Sequence, residues 1–286
     1  MRAPSLVLLC ATLLALPCAV PPARAVEPGA DHTQRPADLG LQAEDVTFAA
    51  ADSATVNGWW FPGPKDAPVI VVAPRGSGTM AGMLPSVKEL LARGFQVLTF
   101  DYRGFGPGSS AGARDSLRYI IFSSGWVDDM DGALRYARAR GGRHVFAWGQ
   151  DLGSAVALAG AARDSKGCDA VAVEGLFRTS QELLLANGTS VIEDVPLRHR
   201  RLVRGPDEPL SAACLLRVPL FAVLAGKDTL TPPATTKAIA ARNRLRADVW
   251  FLPNAGHAGA EQTPGYFDRL ARWFKQWVAL PPGSAE

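Results

Sequence analysis

The chain has 286 residues, of which 48% are hydrophobic and 20% charged, a composition typical of a soluble globular protein with a sizeable core. Its formal net charge of +3 is too small for the positive field that nucleic-acid binding requires, so we expect no nucleic-acid partner. The length suits one large α/β domain.

Residues 1–25 have the layout of a secretory signal. Arg2 supplies a charged start, an apolar run covers 6–16, and Ala23-Arg24-Ala25 forms a small-x-small cleavage site. We expect cleavage before Val26 and a secreted or periplasmic protein, without a stable membrane span because the apolar run is too short. Cleavage would remove two arginines and no acidic residue, leaving 28 basic against 27 acidic residues and a net charge of +1.

Two cysteines remain after that cleavage. Cys10 and Cys18 lie in the signal, which leaves Cys168 and Cys214 in an oxidising compartment. Each lies shortly before an expected strand, so a disulfide is compatible with the sequence. Two separate buried thiols are equally compatible, because the sequence does not give the distance between them.

In chain order, a linker at residues 26–43 leads into a domain at 44–280 in which strand-like and helix-like units alternate. Strands are expected at 46–50, 55–61, 69–73, 95–100, 170–174, 220–225 and 249–252, with another starting at Val145. Helices are expected at 84–93, 126–140, 233–242 and 265–278, and directly after residue 151. This alternation predicts an α/β fold with a mostly parallel central sheet flanked by helices. Residues 175–212 have no strand period and are expected to form a small lid insertion.

The segment Gly149-Gln150-Asp151-Leu152-Gly153 lies between an apolar strand and an Ala-rich helix. A sharp strand-to-helix turn of this kind is a nucleophile elbow, which lifts its central side chain to the top of the sheet. Glycines flank the centre because strand and helix approach too closely for a Cβ. The central residue is usually Ser, and here it is Asp151.

Three polar side chains follow expected strands, where open α/β sheets place their sites. They are Asp151, Asp228 and His257, in the chain order nucleophile, acid, histidine. A histidine acts as general base when a carboxylate fixes its tautomer, and Asp228 is the expected partner of His257. The other three histidines lie in the linker, at the start of a strand and in the lid.

Five motifs, considered together, resemble a known family. They are Gly149-Gln150-Asp151-Leu152-Gly153, Phe100-Asp101-Tyr102-Arg103-Gly104-Phe105-Gly106, Glu174-Gly175-Leu176-Phe177-Arg178-Thr179-Ser180, Gly226-Lys227-Asp228 and Gly256-His257. Over roughly residues 45–279 the chain resembles the serine-aminopeptidase-like branch of the α/β-hydrolase superfamily. The resemblance implies an α/β-hydrolase fold and hydrolysis through a nucleophile, an Asp–His pair and a backbone oxyanion hole, whose donors would be the N–H groups of Ser77 and Leu152.

The sequence has no metal-ligand spacing, phosphate loop or dinucleotide motif, so we expect a small-molecule substrate and neither a cofactor nor a metal ion. The chain also departs from the family. Arg75-Gly76 replaces the family's His-Gly, and Asp151 replaces Ser. Attack by a carboxylate on an ester carbonyl would give an anhydride rather than an acyl ester.

Asp at the elbow also resembles epoxide hydrolases and haloalkane dehalogenases, in which Asp attacks an sp³ carbon. Those enzymes commonly have Trp after the nucleophile and Tyr, Trp or Asn in the lid. Here Leu152 follows, and residues 175–212 contain neither Tyr nor Trp, which argues against a straightforward member of either class. Two hypotheses stay open: Asp151 is a working nucleophile, or the chain is a catalytically inactive binding or scaffold protein that has lost its Ser.

The remaining polar residues near these motifs receive other interpretations. We expect Asp101 and Arg103 to form a structural ion pair within their loop. Glu174 is an alternative acid after its strand. Ser154 falls inside the helix after the elbow, a poor place for a displaced nucleophile.

Overall fold

The computed structural model describes residues 26–117, 122–163, 166–186, 203–243, 245 and 247–278. The expected signal, residues 1–25, lies outside the described residues, and so does the part of the expected lid at 187–202.

Among the described residues, short strands occur along most of the length of the domain. They are β1 (Glu27–Pro28), β2 (Glu44–Ala49), β3 (Thr55–Phe61), β4 (Val69–Ala73), β5 (Ser77–Gly78), β6 (Gln96–Phe100), β7 (Val145–Gln150), β8 (Ala170–Glu174), β9 (Leu220–Ala225) and β10 (Ala247–Leu252). Within this described part, β1 pairs with β5, and the others form an eight-stranded sheet of order β10-β9-β8-β7-β4-β6-β3-β2.

The central sheet is parallel from β10 through β6, and β3 is antiparallel to both of its neighbours. Its inner strands are buried on both faces, as the unbroken apolar run of β4 predicted. The prediction of a mostly parallel sheet is therefore confirmed. The carboxyl ends of β4, β7, β8, β9 and β10 all meet at one edge of the sheet, because these strands run in the same direction.

Helices cover both faces of the sheet. They are α1 (Leu84–Ala92), α2 (Ala111–Leu117), α3 (Ser124–Ala139), α4 (Leu152–Arg163), α5 (Ser180–Ala186), α6 (Pro209–Leu215), α7 (Pro233–Ala240) and α8 (Tyr266–Val278). Alternate residues of β4 face opposite cores: Val71 packs with α3 and α4, and Val72 packs with α1 and α8. No helix among the described residues combines the length and the hydropathy needed to cross a membrane.

Residues 26–39, expected as part of a linker, pack against the domain. We call these residues the strap. β1 pairs in parallel with β5, a 3₁₀ helix covers Pro36–Leu39, and the side chain of Val26 is 1% exposed in one of the two cores. A two-residue strand containing a proline has no period to read, which is why the sequence pattern did not reveal these contacts.

The expected ion pair between Asp101 and Arg103 is wrong. Arg103 instead bonds Asp52 and the fully buried Asp129, with N–O distances of 2.6 Å to each. Asp101 bonds a residue of the strap. Sequence proximity favoured the local pair, whereas the fold brings both carboxylates that bind Arg103 from distant positions.

The described parts of the expected lid include α5 and α6. An ionic cluster around two buried carboxylates fixes the chain just before α6: Arg163 of α4 bonds both Asp128 and Asp207, and the half-exposed Arg204 bonds the same two carboxylates at 2.7 and 3.1 Å. Cys168 and Cys214 are both free thiols, which resolves the open alternative against a disulfide.

Candidate active site

The elbow lies between β7 and α4. Asp151 has φ = 55°, a left-handed conformation that costs a non-glycine residue on the order of 1–3 kcal/mol. A Cβ at Gly149 would collide with the backbone of Gly153, and a Cβ at Gly153 would collide with the carbonyl of Ala73. Both glycines are therefore required by the close approach of helix and strand, and the turn lifts the Asp151 side chain to the sheet edge.

His257 lies between two carboxylates. Its Nε2 is 3.3 Å from Oδ1 of Asp151, and its Nδ1 is 3.0 Å from Oδ2 of Asp228. The side chains of His257 and Asp151 are 30% and 29% exposed, whereas that of Asp228 is 1% exposed. The fold thus brings together the three residues that the sequence singled out, with the acid buried and the other two accessible.

Asp228 is held by its own loop. Oδ2 accepts a hydrogen bond from the Thr231 hydroxyl at 2.6 Å, and Oδ1 accepts from the backbone N–H groups of Leu230 and Thr231 at 2.9 and 2.8 Å. Burial opposes ionisation of this carboxyl, but the hydrogen bonds from His257 and Thr231 outweigh it and lower the pKa of Asp228. The ionised acid therefore fixes the proton of His257 on Nδ1.

The two carboxylates change the ionisation of the histidine. The hydrogen bond to Asp151 is the largest cause and the one to Asp228 the second; against partial burial, they raise the pKa of His257 from 6.5 to about 10. At neutral pH the free site accordingly holds an imidazolium between two carboxylates. His257 becomes a base only after one of these charges has been removed.

One backbone amide is directed at the elbow carboxylate. The N–H of Gly76 lies 3.4 Å from Oδ2 of Asp151, a long contact in the position of an oxyanion-hole donor. This amide precedes the expected donor Ser77, which belongs to β5 and is exposed. Leu152, the other expected donor, is the first residue of α4, where N–H groups have no partner within the helix. The roles of Ser77 and Leu152 stay predictions.

Sequence reasoning missed a polar network behind the elbow. Arg75 Nη2 donates to Gln150 Oε1 at 2.6 Å and to Glu261 Oε1 at 2.5 Å. Gln150 Nε2 in turn donates to Glu174 at 2.7 Å, and the other oxygen of Glu174 accepts from the N–H of Ala260 at 2.9 Å. The network links the loop after β4, the elbow and the loop that contains His257.

Two alternatives from the sequence fall away. Glu174 makes its carboxylate contacts with Gln150 and Ala260, so it is not the acid of His257; burial raises its pKa. Ser154 is fully buried and its hydroxyl donates to the carbonyl of Gly149 at 2.8 Å. Its role is to tie α4 to β7.

The arrangement supplies a carboxylate with one oxygen beside an amide donor and the other beside a histidine, and a buried acid that orients that histidine. These are the parts of nucleophilic catalysis followed by hydrolysis of the covalent intermediate. In the described part of the chain, no group of three or more His, Cys, Asp or Glu residues is arranged to hold a metal ion.

Comparisons with known proteins agree with this fold. Residues 68–195 match the family model described as the alpha/beta hydrolase fold. An esterase of Pyrococcus furiosus, Pf2001, superposes with a TM-score of 0.71 at 18% identity, covering 89% of this chain and 100% of the esterase. A puromycin-hydrolysing peptidase of Mycobacterium tuberculosis superposes with a TM-score of 0.65 at 16% identity, covering 86% of this chain and 41% of the peptidase. The chain is therefore an α/β-hydrolase-fold protein, and the fold predicted from its motifs is confirmed.

Two curated relatives match over a shorter segment. The uncharacterized protein YfhR of Escherichia coli K12 is 32% identical over 144 residues, which are 47% of this chain and 48% of that protein. The polyketide transferase grgF of a Penicillium species is 27% identical over 143 residues, 48% of this chain and 46% of the transferase. The chain thus spans about half the length of the curated relatives it matches.

Proposed function

We propose that the protein is a hydrolase in which Asp151 attacks an electrophilic sp³ carbon of a small-molecule substrate and His257, oriented by Asp228, directs water onto the resulting ester. The observation that carries the proposal is the position of His257, 3.3 Å from the elbow carboxylate and 3.0 Å from the buried acid. The fold shared with esterases supports hydrolysis in general, and the carboxylate selects the kind of bond.

The chemistry of Asp151 favours attack on a saturated carbon over attack on an ester carbonyl. A carboxylate that displaces a leaving group from sp³ carbon forms a stable alkyl ester, whereas attack on an ester carbonyl forms an anhydride. Oδ2 already lies beside the N–H of Gly76 at 3.4 Å. This amide is in place to stabilise negative charge on Oδ2 when water adds to Cγ of the Asp151 ester.

The charge on His257 favours a leaving oxygen, such as that of an epoxide. Ring opening moves the C–O electron pair to oxygen, and the imidazolium supplies the proton that this oxygen needs. His257 is then neutral and takes a proton from the attacking water. When the ester breaks down, His257 returns that proton to the departing alkoxide, and Asp151 leaves as a carboxylic acid that reprotonates His257. The overall reaction is epoxide plus water to diol.

The test uses mass spectrometry on enzyme in excess over substrate. Epoxides, haloalkanes and p-nitrophenyl esters are screened first, and the best substrate is hydrolysed in ¹⁸O water. We expect the label in the Asp151 carboxylate, because water attacks its Cγ. With a haloalkane, whose leaving halide needs no proton, the His257→Gln variant should accumulate an adduct on Asp151, because only hydrolysis of the ester then depends on His257. Turnover that leaves Asp151 unlabelled would contradict the proposal.

A catalytically inactive binding protein is the second candidate. It is favoured by the imidazolium state of His257, since a histidine with a pKa of about 10 is not a base at neutral pH. This candidate predicts no turnover across the whole panel and no adduct in His257→Gln. Turnover that disappears in Asp151→Ala would reject it.

Export is a separate part of the proposal. It is supported by the charged start, short apolar run and cleavage pattern of residues 1–25. Sequencing the amino terminus of the protein recovered from the periplasm or the medium should give Val26 as the first residue. A full-length chain found only in the cytoplasmic fraction would contradict export.

A further inference from the structure

The strap contacts the loop that carries Gly76, which we call the oxyanion loop (residues 74–79). The N–H of Glu27 donates to the carbonyl of Gly76 at 2.8 Å, and the N–H of Gly29 donates to the carbonyl of Gly78 at 2.7 Å. The N–H of Gly76 faces Asp151. Thus Gly76 is held by the strap through its carbonyl, while its N–H contacts the carboxylate at the elbow.

A second contact joins the strap to the far end of the same loop. His32 Nε2 is 2.7 Å from Oδ2 of Asp101, and the other oxygen of Asp101 accepts a hydrogen bond from the N–H of Met80 at 2.8 Å. The side chains of His32 and Asp101 are only 9% and 7% exposed. One buried carboxylate therefore connects the strap with the residue that follows the oxyanion loop.

Steric fit completes the attachment. The carbonyl of Gly29 accepts a hydrogen bond from the N–H of Gly106 at 2.9 Å, so the strap runs between two loops of the sheet edge. A Cβ at Gly29 would lie 2.9 Å from the carbonyl carbon and oxygen of Gly78, too close for backbone atoms that are already hydrogen bonded. The strap and the oxyanion loop thus fit each other without free space at this point.

We propose that the strap is a positioning element of the active site, in which His32 and Asp101 hold the oxyanion loop so that the N–H of Gly76 stays directed at Asp151. This inference rests on the proposed function. Negative charge develops on Oδ2 only when water adds to the Asp151 ester. The strap therefore acts on hydrolysis of the ester, and it has little influence on formation of the ester by Oδ1.

Weakening the strap should slow hydrolysis of the Asp151 ester more than its formation. Removal of one oxyanion donor slows an enzyme about 100- to 1,000-fold, so partial misplacement of the Gly76 amide should slow ester hydrolysis roughly tenfold. Formation of the ester should change less than about twofold on the same argument. The adduct on Asp151 should consequently accumulate during turnover. A strap that only braces the fold would alter neither the ratio of the two rates nor the adduct level.

The experiment compares His32→Gln with a matched control, His144→Gln. His144 is the nearest equivalent, a histidine with 14% side-chain exposure whose aspartate neighbour, Asp169, is 3.9 Å away. Its carbonyl accepts from the N–H of Val69, so it lies at the opposite end of β4 from the oxyanion loop. Hydrogen exchange is measured in peptides covering residues 74–80, and the adduct is quantified by rapid quench and mass spectrometry. We expect faster exchange and adduct accumulation in His32→Gln only. Gly29→Ala, which keeps the His32–Asp101 contact and presses on Gly78, should have the same two effects and serves if His32→Gln does not fold.

The two proposals fail separately. Unchanged exchange in residues 74–80 of both strap variants overturns the strap inference, and so does faster exchange without any change in the ratio of ester formation to hydrolysis. Turnover that leaves Asp151 unlabelled in ¹⁸O water overturns the proposed function instead. In that case the exchange measurement still decides whether the strap holds the loop.

Discussion

Two histidine–aspartate pairs lie at the same edge of the sheet and differ in what surrounds them. His257 lies between Asp228 and Asp151, and its side chain is 30% exposed. His32 contacts the single carboxylate of Asp101 and is 9% exposed. The ring of His32 packs 4.5 Å from that of Trp59, and its Nδ1 lies 3.3 Å from Nη1 of Arg35.

The comparison shows that the role of each histidine is determined by the groups that surround it, and not by its residue type or that of its partner. His257 has one nitrogen fixed by a buried acid and the other next to an accessible carboxylate, so it can exchange a proton with a substrate. Both nitrogens of His32 face protein groups and its ring is covered by Trp59, so its contribution is to hold the strap. A His–Asp pair alone therefore does not indicate catalysis.

Asp228→Asn disrupts the first pair, His257 and Asp228, and should cause the largest loss of turnover. The amide no longer stabilises the Nδ1–H tautomer or the imidazolium, and we expect turnover to fall about 1,000- to 10,000-fold with the Asp151 adduct accumulating. Steady-state kinetics and mass spectrometry of the quenched enzyme measure this. Asp101→Asn is the matched control at the second pair and should lower turnover by about tenfold or less. Equal losses in the two variants would remove the distinction between the pairs.

Asp151→Ser sharpens the comparison within the first pair. The substitution removes the largest cause of the raised pKa of His257, so that pKa should fall from about 10 towards 6.5. A neutral histidine beside Ser is a general base, and we expect p-nitrophenyl ester hydrolysis to appear. The imidazole nitrogen signals followed by NMR across pH report the shift. A pKa that stays near 10 would show that Asp228 alone controls His257.

The fold and the pair formed by His257 and Asp228 could be predicted from the sequence, because each depends on local sequence patterns. Apolar runs located the buried strands, and β4 has the expected bounds. Glycines around Asp151 identified the elbow. Since the carboxyl ends of parallel strands share one edge, Asp228 and His257 were expected beside it, and the structure brings them there.

The pair formed by His32 and Asp101 could not be predicted, because it joins residues that are far apart in the chain. His32 and Asp101 are 69 positions apart, and the strap around His32 has neither apolar alternation nor helical spacing. Arg75 was noted only as a departure from a family pattern. Its bond to Glu261 joins residues 186 positions apart, which no local pattern indicates. Such polar contacts follow from the finished fold.

The ionisation of His257 also predicts a pH dependence of stability. Its folded pKa of about 10 lies above its usual value of 6.5. The stabilisation is therefore fully present below about pH 6.5 and is lost as pH rises through about 10. Urea unfolding at intervals from pH 6 to pH 10 should give a steeper loss of free energy for the wild type than for His257→Gln. Parallel curves for the two proteins would contradict the two-carboxylate environment of His257.

Arg35→Gln should have the smallest effect. It tests whether the strap is held by the exposed Arg35 side chain, which contacts His32 and Trp59, or by the buried His32–Asp101 bond. The Arg35 guanidinium lies 5.3 Å from the ring centroid of Trp59 and 3.4 Å from Asp45, with side chains 53% and 74% exposed for Arg35 and Asp45. Exposed ion pairs and cation–π contacts each contribute up to about 1 kcal/mol, so loss of both should lower the unfolding free energy by no more than about 2 kcal/mol. Exchange in the oxyanion loop should stay at the wild-type rate, because the His32–Asp101 bond remains. If Arg35→Gln speeds that exchange as much as His32→Gln does, the strap is held by its exposed cover rather than by the buried pair.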